Sequence, residues 1–277
     1  MRPSLQILQL IENEWEIDRV NEDVTVRLLG DKASRSCTAS VKSREVGVFC
    51  GESVFDAYLA LIPSLKAEAK VRDGEPVEIG QELLRLTATA GECLSLERTL
   101  LNLLSHLCGV ATLTAQYVKR VEGYPTKILA TRKTLPGLRE LQLQAVVAGG
   151  GFVHRRSLSD GILIKDNHIE IAGEEDLLRR AREHRSPLHR IEIEVQSLSS
   201  LDRVLAVGAD VIMLDNLSES EMREAIKRIA GRAEIEISGG VSLDTVGEYA
   251  RLGAHYISVG RLTHSVKALD LTLELKT

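Results

Sequence analysis

The sequence predicts an α/β protein in which a small mixed N-terminal domain precedes a (β/α) barrel of six strands. After Tyr124, short apolar runs typical of buried strands alternate with amphipathic helical stretches, which implies parallel pairing. The predicted strand ends at Glu194, Asp215, Ser238 and Gly260 follow one another at intervals of 21, 23 and 22 residues, one βα unit per step. Six strands are fewer than the eight of a complete TIM barrel, so the barrel is open or incomplete.

The N-terminal third predicts helices around a small antiparallel sheet. Residues up to about 30 have the pattern of a helix and a connector, whereas 34–49 alternate as a strand does. Residues 54–62 again have helical spacing, and Asp73-Gly74 and Ile79-Gly80 are turns between short β-prone segments. A long helix is predicted over residues 92–121, because leucines recur there at helical intervals.

Composition narrows the class of protein. The chain has 277 residues, 44% apolar and 27% charged, with a formal net charge of −5, which argues against a general nucleic-acid binder. No run approaches the roughly 18 apolar residues of a membrane span. The N-terminus has acids within its apolar pattern and no cleavage site, so we expect a cytoplasmic protein without a membrane partner. Four cysteines without a CxxC pair predict reduced, mostly buried thiols: Cys37, Cys50, Cys93 and Cys108.

Two predicted strands of the barrel, IEIEV and EIEIS, alternate between apolar and polar residues. If the isoleucines face the helices, Glu192, Glu194, Glu236 and Ser238 face the lumen. A buried carboxylate costs several kcal/mol unless it is paired with a cation or a metal. The lumen is therefore either a polar site or a structural network of ion pairs, and Glu192 in particular fits the second interpretation.

Basic residues are concentrated between Ala130 and Lys165. This stretch has six Lys or Arg residues and two acids, in a chain that is acidic as a whole. Many of them lie beside glycines or at predicted strand ends, as expected of a site for a compact anion; a solvated basic face is the alternative. The candidate anion-binding residues are Arg132, Lys133, His154, Arg155 and Lys165.

Two glycine-containing strand ends predict a phosphate site. They are Ser238-Gly239-Gly240 and Ser258-Val259-Gly260, in consecutive βα units. Glycine lets backbone N–H groups approach a ligand, and the loops after the last strands of a barrel are the usual phosphate site. Together with the carboxylates of Glu194 and Asp215, they indicate Mg²⁺ and a phosphorylated sugar.

Two residues of the long predicted helix have ordinary explanations by themselves. Arg98 is explained by an aliphatic stem packed on a core helix or by a pair with Glu97. His106 is explained by a hydrogen-bonded helix histidine rather than by a ligand.

The motifs taken together resemble those of the quinolinate phosphoribosyltransferase family. They are TRKT-PG, GGG-x-x-HR, LIKDNH, EVxSL after a strand, IMLDN, ISGGV and ISVGxLTHS, with ERTLLNLLSHLCGVAT and VRDGEPVEIGQ in the N-terminal part. The resemblance covers nearly the whole chain. It implies an α/β sandwich domain, residues 1–108, and an incomplete (β/α) barrel, residues 109–265, with a tail, 266–277, that returns to the first domain. It also implies a homodimer or a higher oligomer, with each barrel set against the partner's N-terminal domain.

The resemblance implies an enzyme of NAD biosynthesis. It would transfer phosphoribosyl from phosphoribosyl pyrophosphate to quinolinate, with decarboxylation, to give nicotinate mononucleotide, pyrophosphate and CO₂. The residues implied for quinolinate are Arg132, Lys133, His154, Arg155 and Lys165, with Arg98 from the neighbouring subunit, and Thr131 is a further implied substrate-binding residue. Glu194 and Asp215 would hold the ribose hydroxyls and Mg²⁺, and with Lys133 and Lys165 form the implied catalytic set. The residues implied for the 5′-phosphate are Ser238, Gly239, Gly240, Ser258 and Gly260, and Val259 is a further implied substrate-binding residue.

Two positions depart from the family pattern: Val153 and Ser157 stand where the family often has Asn and Gly. One alternative is therefore a divergent homologue associated with molybdenum uptake, against which the intact LIKDNH argues. The other is a catalytically idle barrel that binds phosphorylated sugars, against which Lys165, Glu194 and Asp215 argue.

Overall fold

The computed structural model describes residues 4–276 of the chain. Its α-helices are α1 Leu5–Asp18, α2 Val24–Arg27, α3 Glu52–Leu61, α4 Ala90–Arg120, α5 Arg139–Ala148, α6 Asp166–Ala172, α7 Glu174–His184, α8 Leu198–Val207, α9 Glu219–Ile229, α10 Val246–Arg251 and α11 Arg261–His264. Its strands are β1 Ser36–Ser43, β2 Gly47–Val48, β3 Lys66–Ala69, β4 Pro76–Val77, β5 Glu82–Thr89, β6 Lys127–Ala130, β7 Phe152–Val153, β8 Ile162–Ile164, β9 Ile191–Val195, β10 Val211–Asp215, β11 Glu234–Ser238, β12 Tyr256–Val259 and β13 Leu271–Lys276.

Spatial contacts divide the chain into two compact units. The first consists of the chain up to Ala115, Thr134–Gly150 and the chain from Leu262, and the second consists of Gln116–Lys133 and Gly151–Arg261. The division into domains at residues 108 and 265 remains a prediction. No helix in the described part of the chain is both long enough and apolar enough to cross a bilayer.

The first unit contains a four-stranded antiparallel sheet in the order β13-β1-β5-β3. The predicted mixture of helices and a small antiparallel sheet is confirmed. One face of the sheet is apolar, and the side chains of Val41 and Leu84, paired across β1 and β5, have no solvent exposure. The four cysteines are all free and buried, as predicted.

Helix α4 begins at a capping box. The Thr89 hydroxyl accepts from the Glu92 backbone N–H at 3.2 Å, and the Glu92 carboxylate accepts from the Thr89 backbone N–H at 2.9 Å. Within the first unit, the C-terminal segment passes so close to this helix that a Cβ on Gly109 would lie 2.3 Å from the Lys267 carbonyl oxygen. The segment then continues as β13, which pairs with β1.

The second unit is a parallel sheet of seven strands in the order β7-β6-β12-β11-β10-β9-β8. The α/β class and the incomplete barrel are confirmed, but the predicted number of six strands was wrong. The additional strand is β7, which pairs Phe152 with Leu129 of β6. A two-residue strand after three glycines has no apolar periodicity, so the sequence pattern did not indicate it.

The alternation in the barrel strands has the predicted orientation. In β9 the isoleucines and Val195 are buried in the apolar core, and so are Ile235 and Ile237 of β11. The intervening residues Glu192, Glu194 and Glu236 are also buried, with 7%, 7% and 1% exposure. Three buried carboxylates on the inner face of the sheet require partners, and these partners define the functional site.

Candidate active site

The carboxyl ends of the strands in the second unit surround a cavity of about 480 Å³. In (β/α) barrels this end of the sheet is where ligands bind. The residues that line the cavity are Thr131, Arg132, Lys133, His154, Arg155, Leu163, Lys165, Met213, Asp215, Asn216, Ser238, Gly239, Gly240 and Ser258.

One side of this cavity is basic. Arg132 and Lys133 follow β6, where the Thr131 hydroxyl accepts from the Lys133 backbone N–H at 3.1 Å and so shapes the turn. Arg155 follows β7, and burial together with the nearby charge of Arg132 lowers the pKa of its guanidinium. A partly buried guanidinium group next to a second one favours an anion between them. The predicted basic cluster is therefore brought together in one cavity.

Lys165 lies at the end of β8 and forms an ion pair with Glu194 of β9. Glu194 also accepts from the Gln196 side-chain amide at 3.0 Å. The carboxylate is thus held by two donors while the lysine chain remains 42% exposed toward the cavity. Helix α6 starts directly after Lys165, and His168 accepts from the Lys165 backbone N–H at 3.0 Å. His168 therefore stabilises the first turn of α6.

The opposite side of the cavity is formed by an acid and a glycine turn. Asp215 ends β10 and accepts from the Asn216 side-chain amide at 3.0 Å. Gly239 has φ +92°, and a Cβ on it would meet Asn216 Oδ1 at 2.3 Å. Gly240, at φ +58°, faces open space. Only glycine fits the first position, and the open space at the second gives a ligand access to the backbone.

Asp215 and Glu194 lie on neighbouring strands of the same sheet. Met213 pairs with Glu194 between β10 and β9, so Asp215 lies two residues nearer the carboxyl end on the same face. Carboxylate oxygens are the ligands that Mg²⁺ prefers in proteins, so Asp215 and Glu194 are the candidate magnesium ligands of this cavity. Glu194 is buried and already bonded to Lys165 and Gln196, so Asp215 is the more accessible of the two carboxylates for a metal ion.

His154 is held from below by two carboxylates. Its Nε2 lies 2.7 Å from Glu192 Oε2 and 3.3 Å from Glu236 Oε2. Burial acts to lower the pKa of His154, but the hydrogen bonds to both carboxylates outweigh it and raise the pKa to about 10. Burial and the neighbouring Glu236 raise the pKa of Glu192, against the effect of His154. The Ser258 hydroxyl donates its hydrogen bond to Glu236. In this arrangement the Ser258 hydroxyl cannot also donate to a phosphate.

The remaining predicted residues lie outside the lining of this cavity. Arg98 is an exposed residue of α4 in the first unit. Val259 is 1% exposed, and the alternation of β12 turns its side chain away from the lumen, whereas Gly260 follows that strand. Glu194 lies behind Lys165. The assignment of these residues to substrates remains a prediction. His106 is hydrogen-bonded to the Gln142 amide at 2.8 Å, as its ordinary explanation requires.

The sequence patterns did not indicate two features of the site. The first is Asn216, which lines the cavity and has the left-handed backbone conformation, with φ +55°. Asn adopts this conformation more readily than most residues, so an Asn directly after the acid that ends a strand could have indicated the turn. The contact of Glu192 and Glu236 with His154 was also missed, although the alternation of β9 and β11 placed both carboxylates in the lumen.

A second cavity, of about 370 Å³, lies at the amino ends of the same strands. Its lining includes Lys127, Val211 and Tyr256, each the first residue of its strand. The two cavities share His154, Arg155 and Leu163. The cavity at the carboxyl ends is the candidate active site, because the basic cluster, Asp215 and the glycine turn all line it.

The family profiles and the relatives that match this chain all belong to one enzyme family. The profile described as "Quinolinate phosphoribosyl transferase, C-terminal domain" matches residues 110–274, and that of the N-terminal domain matches residues 23–108. The nicotinate-nucleotide pyrophosphorylase [carboxylating] of Mycobacterium leprae is 43% identical over 246 residues, covering 86% of each chain. A probable enzyme of the same name from Bacillus subtilis is 35% identical over 274 residues, covering 98% of this chain and 94% of the relative.

Solved structures agree. The nicotinate-nucleotide pyrophosphorylase of Ehrlichia chaffeensis superposes with a TM-score of 0.92 at 33% identity, over 100% of both chains. The matched profiles, the curated relatives and this structure all point in one direction, and the chain belongs to the quinolinate phosphoribosyltransferase family.

Proposed function

We propose that the protein transfers phosphoribosyl from phosphoribosyl pyrophosphate to quinolinate and releases pyrophosphate and CO₂, with nicotinate mononucleotide as the product. The name of its relatives describes the same reaction in the carboxylating direction. The observation that carries the proposal is the division of one cavity into a basic side and a side with an acid and a glycine turn. Such a cavity fits two anionic substrates next to each other.

The basic side fits the acceptor. Quinolinate has two adjacent carboxylates on a flat ring, and guanidinium groups bind carboxylates through paired hydrogen bonds. The cationic side chains of this side are Arg132, Lys133, Arg155 and Lys165, and His154 lines the same cavity. Nicotinate has a single carboxylate and would satisfy fewer of these cations, so we expect discrimination against it.

The glycine side fits the phosphoribosyl donor. The backbone at Gly239 and Gly240 would bind the 5′-phosphate, and Asp215 would contact the ribose hydroxyls. Asp215, with Glu194 behind it, would also hold Mg²⁺, which neutralises the charge of the leaving pyrophosphate when it is bound. Asn216 closes this side through its contact with the glycine turn.

The chemistry needs positioning and electrostatics rather than a nucleophilic side chain. The lone pair of the quinolinate ring nitrogen forms the bond to C1 of the ribose as the bond to pyrophosphate breaks. Asp215 and Glu194 would stabilise the positive charge that develops on the ribose ring. The product pyridinium then loses its 2-carboxylate as CO₂, because the electron pair left on carbon lies next to N⁺, and a proton replaces the lost carboxylate.

The direct test is turnover by the full-length protein with phosphoribosyl pyrophosphate and Mg²⁺, with quinolinate or nicotinate as acceptor. We expect equal amounts of nicotinate mononucleotide and CO₂ from quinolinate, and little product from nicotinate. Binding of phosphoribosyl pyrophosphate in calorimetry without turnover of either acceptor would contradict the assigned acceptor. It would favour the idle phosphosugar-binding barrel instead.

The proposal also includes a metal ion, an oligomeric state and a cellular location. Mg²⁺ as the metal, a homodimer in which Arg98 reaches the neighbouring site, and a cytoplasmic location remain predictions. The motifs of the chain support the first two, and its composition and N-terminal pattern support the third.

A further inference from the structure

His154 lies where the two cavities of the second unit meet, and it lines both of them. Glu192 and Glu236, from β9 and β11, line only the cavity at the amino ends. Both carboxylates contact the same ring nitrogen, Nε2, at 2.7 and 3.3 Å. They therefore hold one edge of the imidazole and leave Nδ1 as the nitrogen that they do not engage.

We propose that Glu192 and Glu236 are positioning residues that keep His154 as an imidazolium, so that its Nδ1–H donates to a carboxylate of the acceptor. The inference rests on the proposed function, because it assigns the anion-binding role of His154 to quinolinate. It adds that the recognising group is made by two side chains that do not line the acceptor cavity.

Two carboxylates on one ring nitrogen have an effect that a single carboxylate does not have. A single carboxylate on Nε2 would be satisfied by the neutral tautomer with Nε2–H, whose Nδ1 carries a lone pair. That lone pair would repel an acceptor carboxylate. A second buried carboxylate on the same nitrogen adds negative charge that a cationic ring balances, and the cationic ring has an N–H on both nitrogens. Ser258 donates to the other oxygen of Glu236, Oε1, and so fixes the orientation of this carboxylate toward His154.

Most of the other charged groups that line the two cavities are cations, and they act in the opposite direction. The cations are Arg132, Lys133, Arg155 and Lys165 on the carboxyl-end side and Lys127 and Arg190 on the amino-end side. The acids are Asp215 and Asp160, and Tyr256 is a further titratable group on the amino-end side. These cations would favour a neutral ring, so removing either carboxylate should lower the pKa of His154.

The first experiment is a pH titration of the histidine ring nitrogens by ¹⁵N NMR on the full-length protein, with the His154 signals assigned by their loss in His154→Asn. In the wild type we expect a charged ring throughout neutral pH that loses its proton near the pKa of about 10. In Glu192→Gln and in Glu236→Gln the pKa should fall by about one unit or more, a tenfold change in proton affinity. Glu234→Gln, on the same strand β11 but paired with Arg190, is the matched control and should leave His154 unchanged.

The second experiment separates positioning from damage to the fold. At pH 9.5, where a one-unit fall in the pKa of His154 discharges most of the ring, kcat/KM for quinolinate in the two variants should fall about threefold or more, with KM for phosphoribosyl pyrophosphate near the wild-type value. Lowering the pH to 6 should recover much of the loss, because it recharges the ring. A loss that is the same at both pH values would mean that the carboxylates only support the structure, and it would overturn the proposal.

The outcomes distinguish this inference from the proposed function. The NMR titration needs no turnover, so a wild-type His154 that titrates near its ordinary value of about 6.5 overturns the inference whatever the activity. A charged ring in a protein that does not turn over quinolinate would instead contradict the function. The three groups also lie within 4.8 Å of one another, close enough for a divalent cation in place of the Nε2 proton. Zn²⁺ that removes this proton in the wild type but not in Glu192→Gln would assign the cluster to metal binding and overturn the proposal.

Discussion

At the scale of single residues, Lys165 both lines the cavity and pairs with a buried acid. Its ammonium group faces the cavity and also neutralises Glu194, which is 7% exposed. We expect Lys165→Ala, and likewise Lys133→Ala, to keep the fold but to lose turnover by about a hundredfold or more, since each removes a charge that holds the reacting anions. Steady-state kinetics and circular dichroism measure the two effects.

The matched control is Lys227→Ala, an exposed lysine of α9 in the same unit. Because Lys227 does not line the cavity, this variant should retain the wild-type rate. Near-normal turnover in both Lys133→Ala and Lys165→Ala would contradict the assigned active site.

Gly239 is the residue at which backbone geometry and binding depend most directly on each other. Its φ of +92° and the 2.3 Å approach to Asn216 Oδ1 leave no room for a methyl group. We predict that Gly239→Ala weakens binding of phosphoribosyl pyrophosphate about tenfold or more and destabilises the protein by about 1–3 kcal/mol, because strain and overpacking add. Calorimetry and urea unfolding measure these two quantities.

Gly231 separates the two causes. It has φ +76°, but a Cβ there would meet nothing within 4 Å. Gly231→Ala should therefore show only the cost of strain, with unchanged binding of the donor. Equal effects of both variants on binding would mean that the glycine turn at residue 239 does not form the phosphate site.

The residues that the sequence predicted best are those whose role depends on local context. Lys133, Lys165 and Asp215 lie at or directly after the ends of strands that periodicity locates, and Gly239 belongs to a recognisable glycine turn. The partners of His154 depend instead on which strands become neighbours in space. Glu192 and Glu236 lie 38 and 82 residues away in the chain, so alternation placed them in the lumen but could not show what they contact there.

At the scale of secondary structure, long elements could be predicted from their own sequence, whereas short ones could not. Strands β9 to β11 have five residues each with a clear pattern and were predicted, whereas the two residues of β7 were not. Helix α6 was also missed, because Asp166–Ala172 is one short helix directly after a strand and its polar start was attributed to the site. Short elements depend on their neighbours more than on their own sequence.

Helix α4 offers a test of packing against propensity. Gly109 lies inside this helix, where alanine would be favoured by about 1 kcal/mol from propensity alone. A Cβ would, however, meet the backbone of Lys267 at 2.3 Å, so we predict that Gly109→Ala destabilises the protein by about 1–3 kcal/mol in urea unfolding. Asn102→Ala, at an exposed position of α4, is the control and should be neutral or stabilising. A stabilising Gly109→Ala would show that the segment at residue 267 moves freely.

At the scale of the whole molecule, the predicted dimer makes an active site from two chains. If Arg98 serves the neighbouring site, Arg98→Ala and Lys165→Ala subunits are each inactive alone, but a mixed dimer contains one complete site. We expect a one-to-one mixture, after unfolding and refolding together, to recover about a quarter of the wild-type rate, since half of the dimers are mixed and each has one working site.

The control for this experiment is a mixture of Lys133→Ala with Lys165→Ala, which places both defects in the same cavity. That mixture should stay inactive, because no arrangement of the two chains gives a complete site. Recovery in the control, or its absence in the Arg98 mixture, would contradict the role of Arg98 across subunits.

The pairing of β1 with β13 joins residues that are far apart in the chain. Val41 pairs with Leu273, so the sheet of the first unit is completed by a segment more than 200 residues downstream of its first strand. During synthesis, β1 is made long before β13, so the edge of β1 that pairs with β13 stays unpaired while the strands of the second unit are being made. Contacts over such distances slow folding, and an unpaired strand edge invites association with other chains. A message cut short before residue 271 would therefore yield a chain whose β1 keeps an open edge, a substrate for chaperones and proteases rather than an enzyme.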